Sequence, residues 1–217
     1  MSAAWLRKLR EHPSAALLFV QLAGVLLYPL LDDLAHSRAI FNVFGLLVLG
    51  LALRMVRRSP AATWIAVVLA GLVAGLLVLQ ALAPQPGIGM LISALESAFY
   101  FYAAGSLIAY MMEDQRATTD ELFAAGATFT LLAWAYAHVF ALCQAWVPGS
   151  FGPKTDPCTW MELLFLSFTV LSGVGLGDIV PLQPMGRALV MLGEFTGVMY
   201  IAVVVSRLIG MTLLARR

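Results

Sequence analysis

Ser172-Gly173-Val174-Gly175-Leu176-Gly177-Asp178-Ile179-Val180-Pro181 puts glycine at every second position from 173 to 177, directly after the apolar segment Pro157–Leu171. Alternating glycine opens backbone angles that turn successive carbonyls to one side, which an ordinary strand forbids. Several such strands about one axis form rings of oxygen, and such rings replace the hydration shell of a monovalent cation. The competing reading is a glycine-rich phosphate turn. That turn needs a preceding strand and a following helix inside a soluble βαβ unit, and no such unit is legible here.

The surroundings of the stretch are a membrane. Hydrophobic residues make up 61% of the chain and charged residues only 12%, and the mean hydropathy is +0.90. A water-soluble domain of 217 residues could not hide that much apolar surface. Apolar runs at Ser14–Leu31, Ala39–Leu53, Ala61–Leu82, Met90–Met112 and Leu122–Trp146 read as five spans, and a last helix over Pro184–Leu214 as a sixth. In lipid their backbone groups are satisfied only if they are helical. The first run has no small-residue cleavage site close behind it, so it reads as a retained anchor. A net charge of +1 gives no field that would draw nucleic acid.

Pro157–Leu171 does not fit the span pattern, because about 15 residues reach only about 22 Å as a helix. It must enter the membrane and turn back. Asp156 and Pro157 suit its N-cap and first helical position, so the negative end of its dipole would point inward, toward a cation.

Arg7, Lys8, Arg10, Arg54, Arg57, Arg58, Arg116, Arg207, Arg216 and Arg217 fall at span ends on one side, and only Arg38, Lys154 and Arg187 on the other. The positive-inside rule makes both termini cytoplasmic, as does the even span count. Cys143 and Cys158 sit near the opposite face. A disulfide between them and two small buried thiols are both open readings.

From Ser167-Phe168-Thr169-Val170-Leu171-Ser172 through Pro181 the sequence resembles the pore signature of potassium channels. In that family the filter aspartate is followed by a proline, then a Gly-Arg pair opening the inner helix, then a hinge glycine; Asp178, Pro181, Gly186-Arg187 and Gly197 stand at that spacing. The tail from Tyr200 to Leu208 is similar to bacterial ion-channel pore modules, and the resemblance runs over about residues 122–214. It implies a homotetramer in a bacterial plasma membrane, ion-binding carbonyls at Gly173, Val174, Gly175, Leu176 and Gly177, and K+ as the permeant ion with no cofactor and no enzymatic activity. Two positions depart from the family. Gly173 stands where a threonine supplies a hydroxyl ring, and Leu176 where an aromatic residue is usual.

Around the filter, Thr169 and Ser172 read as support. Asp178 reads as a carboxylate at the mouth or a simple turn residue, and Glu194 as a brace behind the pore helix near Thr169 or Ser167, or as a side chain facing a watery crevice. Gly197, Ile201, Val205 and Ile209 recur every four residues and read as a hinge followed by a lower-pore gate. Glu96 and His138 are ionisable residues inside spans; they could pair or sense pH, or the histidine could be merely hydrogen-bonded. The fourth span carries no Arg or Lys, so steep voltage gating is not expected. The sequence given ends close after the last helix, and the expectation is of no attached regulatory domain.

The expected fold is an all-α membrane protein with six transmembrane helices plus a re-entrant pore helix and filter loop. Residues 1–116 would form a peripheral domain without voltage-sensor arginines, and 117–217 the pore domain. A potassium channel is the first expectation. A weakly selective monovalent cation channel, or a non-conducting scaffold that keeps a degenerate pore module, are the alternatives.

Overall fold

The computed structural model describes residues 13–31, 37–57, 59–83, 85, 87–113, 119–152 and 157–214, with side chains left undescribed at 29–31, 37–42, 205, 208 and 211–214. Among the described residues the chain folds into seven helices: α1 Pro13–Leu31, α2 Ser37–Val56, α3 Thr63–Leu82, α4 Ile88–Glu113, α5 Thr119–Trp146, α6 Trp160–Leu171 and α7 Pro184–Leu214. Within the described residues α3, α4, α5 and Pro184–Val204 of α7 are long and apolar enough to cross a membrane, while the qualifying apolar stretches of α1 and α2 are shorter. The expected domain boundary at residue 116 lies outside the described residues.

Polar ties fix how the helices alternate. The Ser14 hydroxyl donates to Asp120 Oδ2 at 2.9 Å and lies 3.9 Å from Met55 Sδ, joining the start of α1 to the end of α2 and the start of α5. The Tyr102 hydroxyl donates to the Ala62 carbonyl at 2.8 Å, and Arg207 Nε to the Met111 carbonyl at 2.8 Å. One end of the bundle therefore gathers the starts of α1, α3 and α5 with the ends of α2, α4 and α7. Lipid tails are as apolar as leucine, so ties of this kind and close backbone approaches carry much of helix association in a membrane.

α5 is the axis of the fold. It packs most extensively on α4 and also meets α1, α6 and α7, and 130–138 are buried without interruption. Mid-span, the Thr130 hydroxyl bonds Gln21 Oε1 at 2.7 Å, tying α1 to it. α3, by contrast, turns Trp64, Val68, Leu72 and Val78 outward.

α7 lies against α5 and α6 along a stripe of buried residues, Gly186, Val190, Gly193, Gly197, Tyr200 and Val204, whose spacing alternates four and three. Glycine is required at the centre of this contact. A Cβ on Gly197 would fall far inside contact distance of the Leu171 carbonyl group. Tyr200 secures the stripe lower down, donating from its hydroxyl to the Ala125 carbonyl at 2.6 Å.

Candidate functional site

The short helix α6 begins three residues later than the Asp156-Pro157 pair suggested. Pro157 stands outside the helix, and Asp156 lies outside the described residues. The cap is Thr159. Its hydroxyl accepts from the Glu162 N–H at 3.3 Å, and Glu162 Oε2 accepts from the Thr159 N–H at 2.6 Å, a reciprocal capping box. Twelve residues make α6 about 18 Å long.

The helix ends level with the middle of α7. Its last residue, Leu171, touches α7 at Gly197, about 20 Å along α7 from Pro184. Its middle is fastened to mid-α5: Ser167 Oγ lies 2.7 Å from the Ala133 carbonyl and 2.8 Å from that of Leu164. Phe168 meets Phe129 at 6.0 Å between ring centres, and Phe129 meets Tyr200 at 6.2 Å.

After Leu171 the chain turns at Ser172 and becomes non-helical. The Ser172 N–H bonds the Phe168 carbonyl at 3.0 Å, the Gly173 N–H that of Val170 at 3.1 Å, and the Gly175 N–H that of Thr169 at 3.2 Å. Gly173 has φ 70° and Gly175 φ 62°, both left-handed; Gly177 does not, so the three glycines expected to act alike divide into two and one. The left-handed value at Gly173 gives a backbone reason for the missing threonine, since a β-branched residue avoids that region. Residues 172–178 are exposed throughout, with Val174 67% and Leu176 73% accessible. In one chain, this strand of carbonyls encloses nothing.

Beyond the strand, the chain is clamped to the loop that follows α5. Phe151 pairs with Pro181 in an antiparallel bridge, the Gly152 N–H bonds the Val180 carbonyl at 3.0 Å, and the Leu182 N–H that of Ser150 at 2.8 Å. Gln144, at the end of α5, holds the entry to α6 with both amide ends: Nε2 donates to the Cys158 carbonyl at 2.8 Å and Oε1 accepts its N–H at 3.0 Å. Sequence reasoning missed this residue; its one visible signal is a lone amide side chain in the last turn of an apolar helix. Cys143 and Cys158 are both buried free thiols. Burial first, then the Glu162 and Asp178 carboxylates, push the Cys158 thiol above its ordinary range.

The remaining candidates separate. Thr169 Oγ1 bonds the Leu166 carbonyl at 2.9 Å and Ser172 Oγ that of Thr169 at 3.2 Å, so both hydroxyls close the end of α6. Asp178 is exposed beside the strand. Within the single chain Glu194 is exposed on α7, and the Ser167 and Thr169 hydroxyls are taken by carbonyls. Gly197 is buried at the α6 contact whereas Ile201 and Ile209 are exposed, and the Val205 side chain lies outside the described residues. The expected single face through these four positions is thus not one face. Glu96 and His138 do meet, with Oε2 3.1 Å from Nδ1, in a cavity that no residue of the 172–178 strand lines.

Residues 127–213 match the family model described as an ion channel. The matched stretch takes in most of α5 and all of α6, the glycine strand and most of α7. No curated protein and no solved structure gives a match.

Proposed function

We propose that this membrane protein, whose residues 127–213 match an ion-channel family model, is a potassium-channel pore module that assembles as a homotetramer and conducts K+. The backbone carbonyls of Gly173, Val174, Gly175, Leu176 and Gly177 form its filter, with Asp178 at the mouth. The observation that carries this reading is the geometry after Leu171. A helix that stops at mid-depth hands over to an exposed strand in which Gly173 and Gly175 are left-handed. Non-helical backbone at that depth is tolerated only where it lines a cavity or is buried in protein, and one strand cannot surround an ion. Four copies about an axis supply both conditions, and the large apolar side chains that α7 leaves exposed, Met191, Phe195 and Val198 among them, are suited to meeting neighbours.

In this arrangement α1 to α5 and α7 all cross the bilayer and both termini face the cytoplasm, with Arg54, Arg57 and Arg207 at that end. Residues 88–113 of α4 contain no Arg or Lys, so opening is not steeply voltage-dependent. The gate is intramembrane, on the Ile201 to Ile209 part of α7.

A second reading, a weakly selective monovalent cation channel, is favoured by one observation: Gly173 offers no hydroxyl to the innermost ion site. Flux from liposomes holding the purified protein, with a K+ gradient and then a Na+ gradient, tests both. K+ flux well above Na+ flux is expected. Equal fluxes favour the second reading, and no flux from correctly assembled protein overturns both.

A further inference from the structure

Away from the 172–178 strand, α1 to α6 together line a half-open cavity of about 470 Å³. Its origin is legible in the sequence. Gly24, Gly45 and Gly89 line it from three different helices, and none carries a side chain to fill it. A Cβ added at Gly45 would meet nothing within 4 Å. The volume lies in the range of small-ligand sites.

The lining includes the rings of Phe44, Tyr100, Trp134, His138 and Trp160. Tyr100 stacks on His138 at 5.6 Å between ring centres, His138 meets Trp160 at 4.3 Å, and Phe44 meets Trp134 at 6.0 Å. Lining side chains that carry a polar atom include Tyr28, Gln80, Glu96, Tyr100, Trp134 and His138. Glu96 and His138 approach to 3.1 Å without hydrogen-bond alignment at Nδ1. Gln80 Oε1 and Trp134 Nε1 are buried and bond to nothing among the described residues. No Lys or Arg lines the cavity among those residues. A carboxyl group with no basic counter-charge but an imidazole, a free amide oxygen and a cage of ring faces together suit a positive group carrying N–H donors.

We propose that this cavity is a binding site for a small organic cation, a protonated primary amine bearing an apolar or aromatic group. The ammonium group is held between Glu96 and Gln80 Oε1 against the ring faces. The apolar part lies among Phe44, Ile92 and Leu77. Trp160 and Leu164, which also line the cavity, belong to the first turns of α6. An occupant therefore rests against the pore helix while sharing no residue with the 172–178 strand.

Equilibrium dialysis of the full chain in lipid nanodiscs, with empty nanodiscs as the baseline, tests this directly and does not depend on conduction. The probes are phenethylamine, a cation at pH 7, and 2-phenylethanol, its uncharged counterpart. The expected result is saturable binding of one amine per chain, at least tenfold tighter than the alcohol. Glu96→Gln should weaken the amine at least tenfold and leave the alcohol unchanged. Gly45→Phe, which fills open space, should abolish both and keeps the test decisive if Glu96→Gln misfolds. Absence of saturable amine binding, which would mean a cavity of water or acyl chain only, overturns the proposal. So do equal affinities for the two probes, an unaltered amine affinity in Glu96→Gln, or undiminished amine binding in Gly45→Phe.

Discussion

Gly175→Ala and Gly177→Ala add the same methyl two residues apart, and the structure assigns them different costs. Gly175 sits at φ 62°, in the left-handed region. There an L-residue is disfavoured by about 1–2 kcal/mol. Every 1.4 kcal/mol is tenfold in population, so a single strand would hold the required conformation roughly tenfold less often. In the proposed tetramer, four strands closing one filter would multiply that penalty to about 4–8 kcal/mol. Gly177 is not left-handed, and its added Cβ would stand 3.1 Å from the edge of the Phe165 ring. That ring is 44% exposed and can turn aside, so the cost should stay near the ~0.5 kcal/mol of an ordinary surface change. The assay is K+ flux from liposomes, normalised to the amount of assembled protein. Gly175→Ala should lose at least tenfold in flux with membrane insertion intact, and Gly177→Ala should stay within a few-fold of the parent. Equal losses in the two variants, or parental flux in Gly175→Ala, would refute the assignment of left-handed backbone as the element that shapes the strand.

Gly197→Ala should lower thermal stability by about 1–3 kcal/mol, because the added Cβ meets the Leu171 backbone rather than a movable side chain; Gly210→Ala, with nothing within 4 Å, is the control and should not destabilise. Gln144→Leu leaves the Cys158 N–H and carbonyl unpaired, at about 1–3 kcal/mol. Maleimide labelling of Cys158 should then speed up severalfold, and unchanged labelling would mean that the loop is held by other contacts.

The physics that made parts of this protein legible also marks where legibility stopped. The short helix before the glycines follows from length alone, since an apolar segment of that size cannot span, and the glycine strand follows from residues whose backbone freedom is local. Two local signals compete for the start of α6: Asp156-Pro157 suggests a cap, but Thr159-Trp160-Met161-Glu162 spells the box that forms. The Gln144 and Ser167 anchors were illegible because their partners, the Cys158 backbone and the Ala133 carbonyl, are defined only by tertiary packing.

On α7 the error is geometric. Steps of four drift about 40° each on a helix of 3.6 residues per turn, so Gly197 and Ile209 end about 120° apart. Steps alternating four and three hold one face, and that is the buried stripe from Gly186 to Val204. Glu194 is off that stripe, exposed beside Phe195 and Val198. A charge in hydrocarbon costs about 2.5–3.5 kcal/mol even on the lenient insertion scale. That penalty is relieved where this side of α7 meets water or another chain. In the tetramer proposed above, Glu194 would find that relief on a face of α7 that meets water or a neighbouring copy.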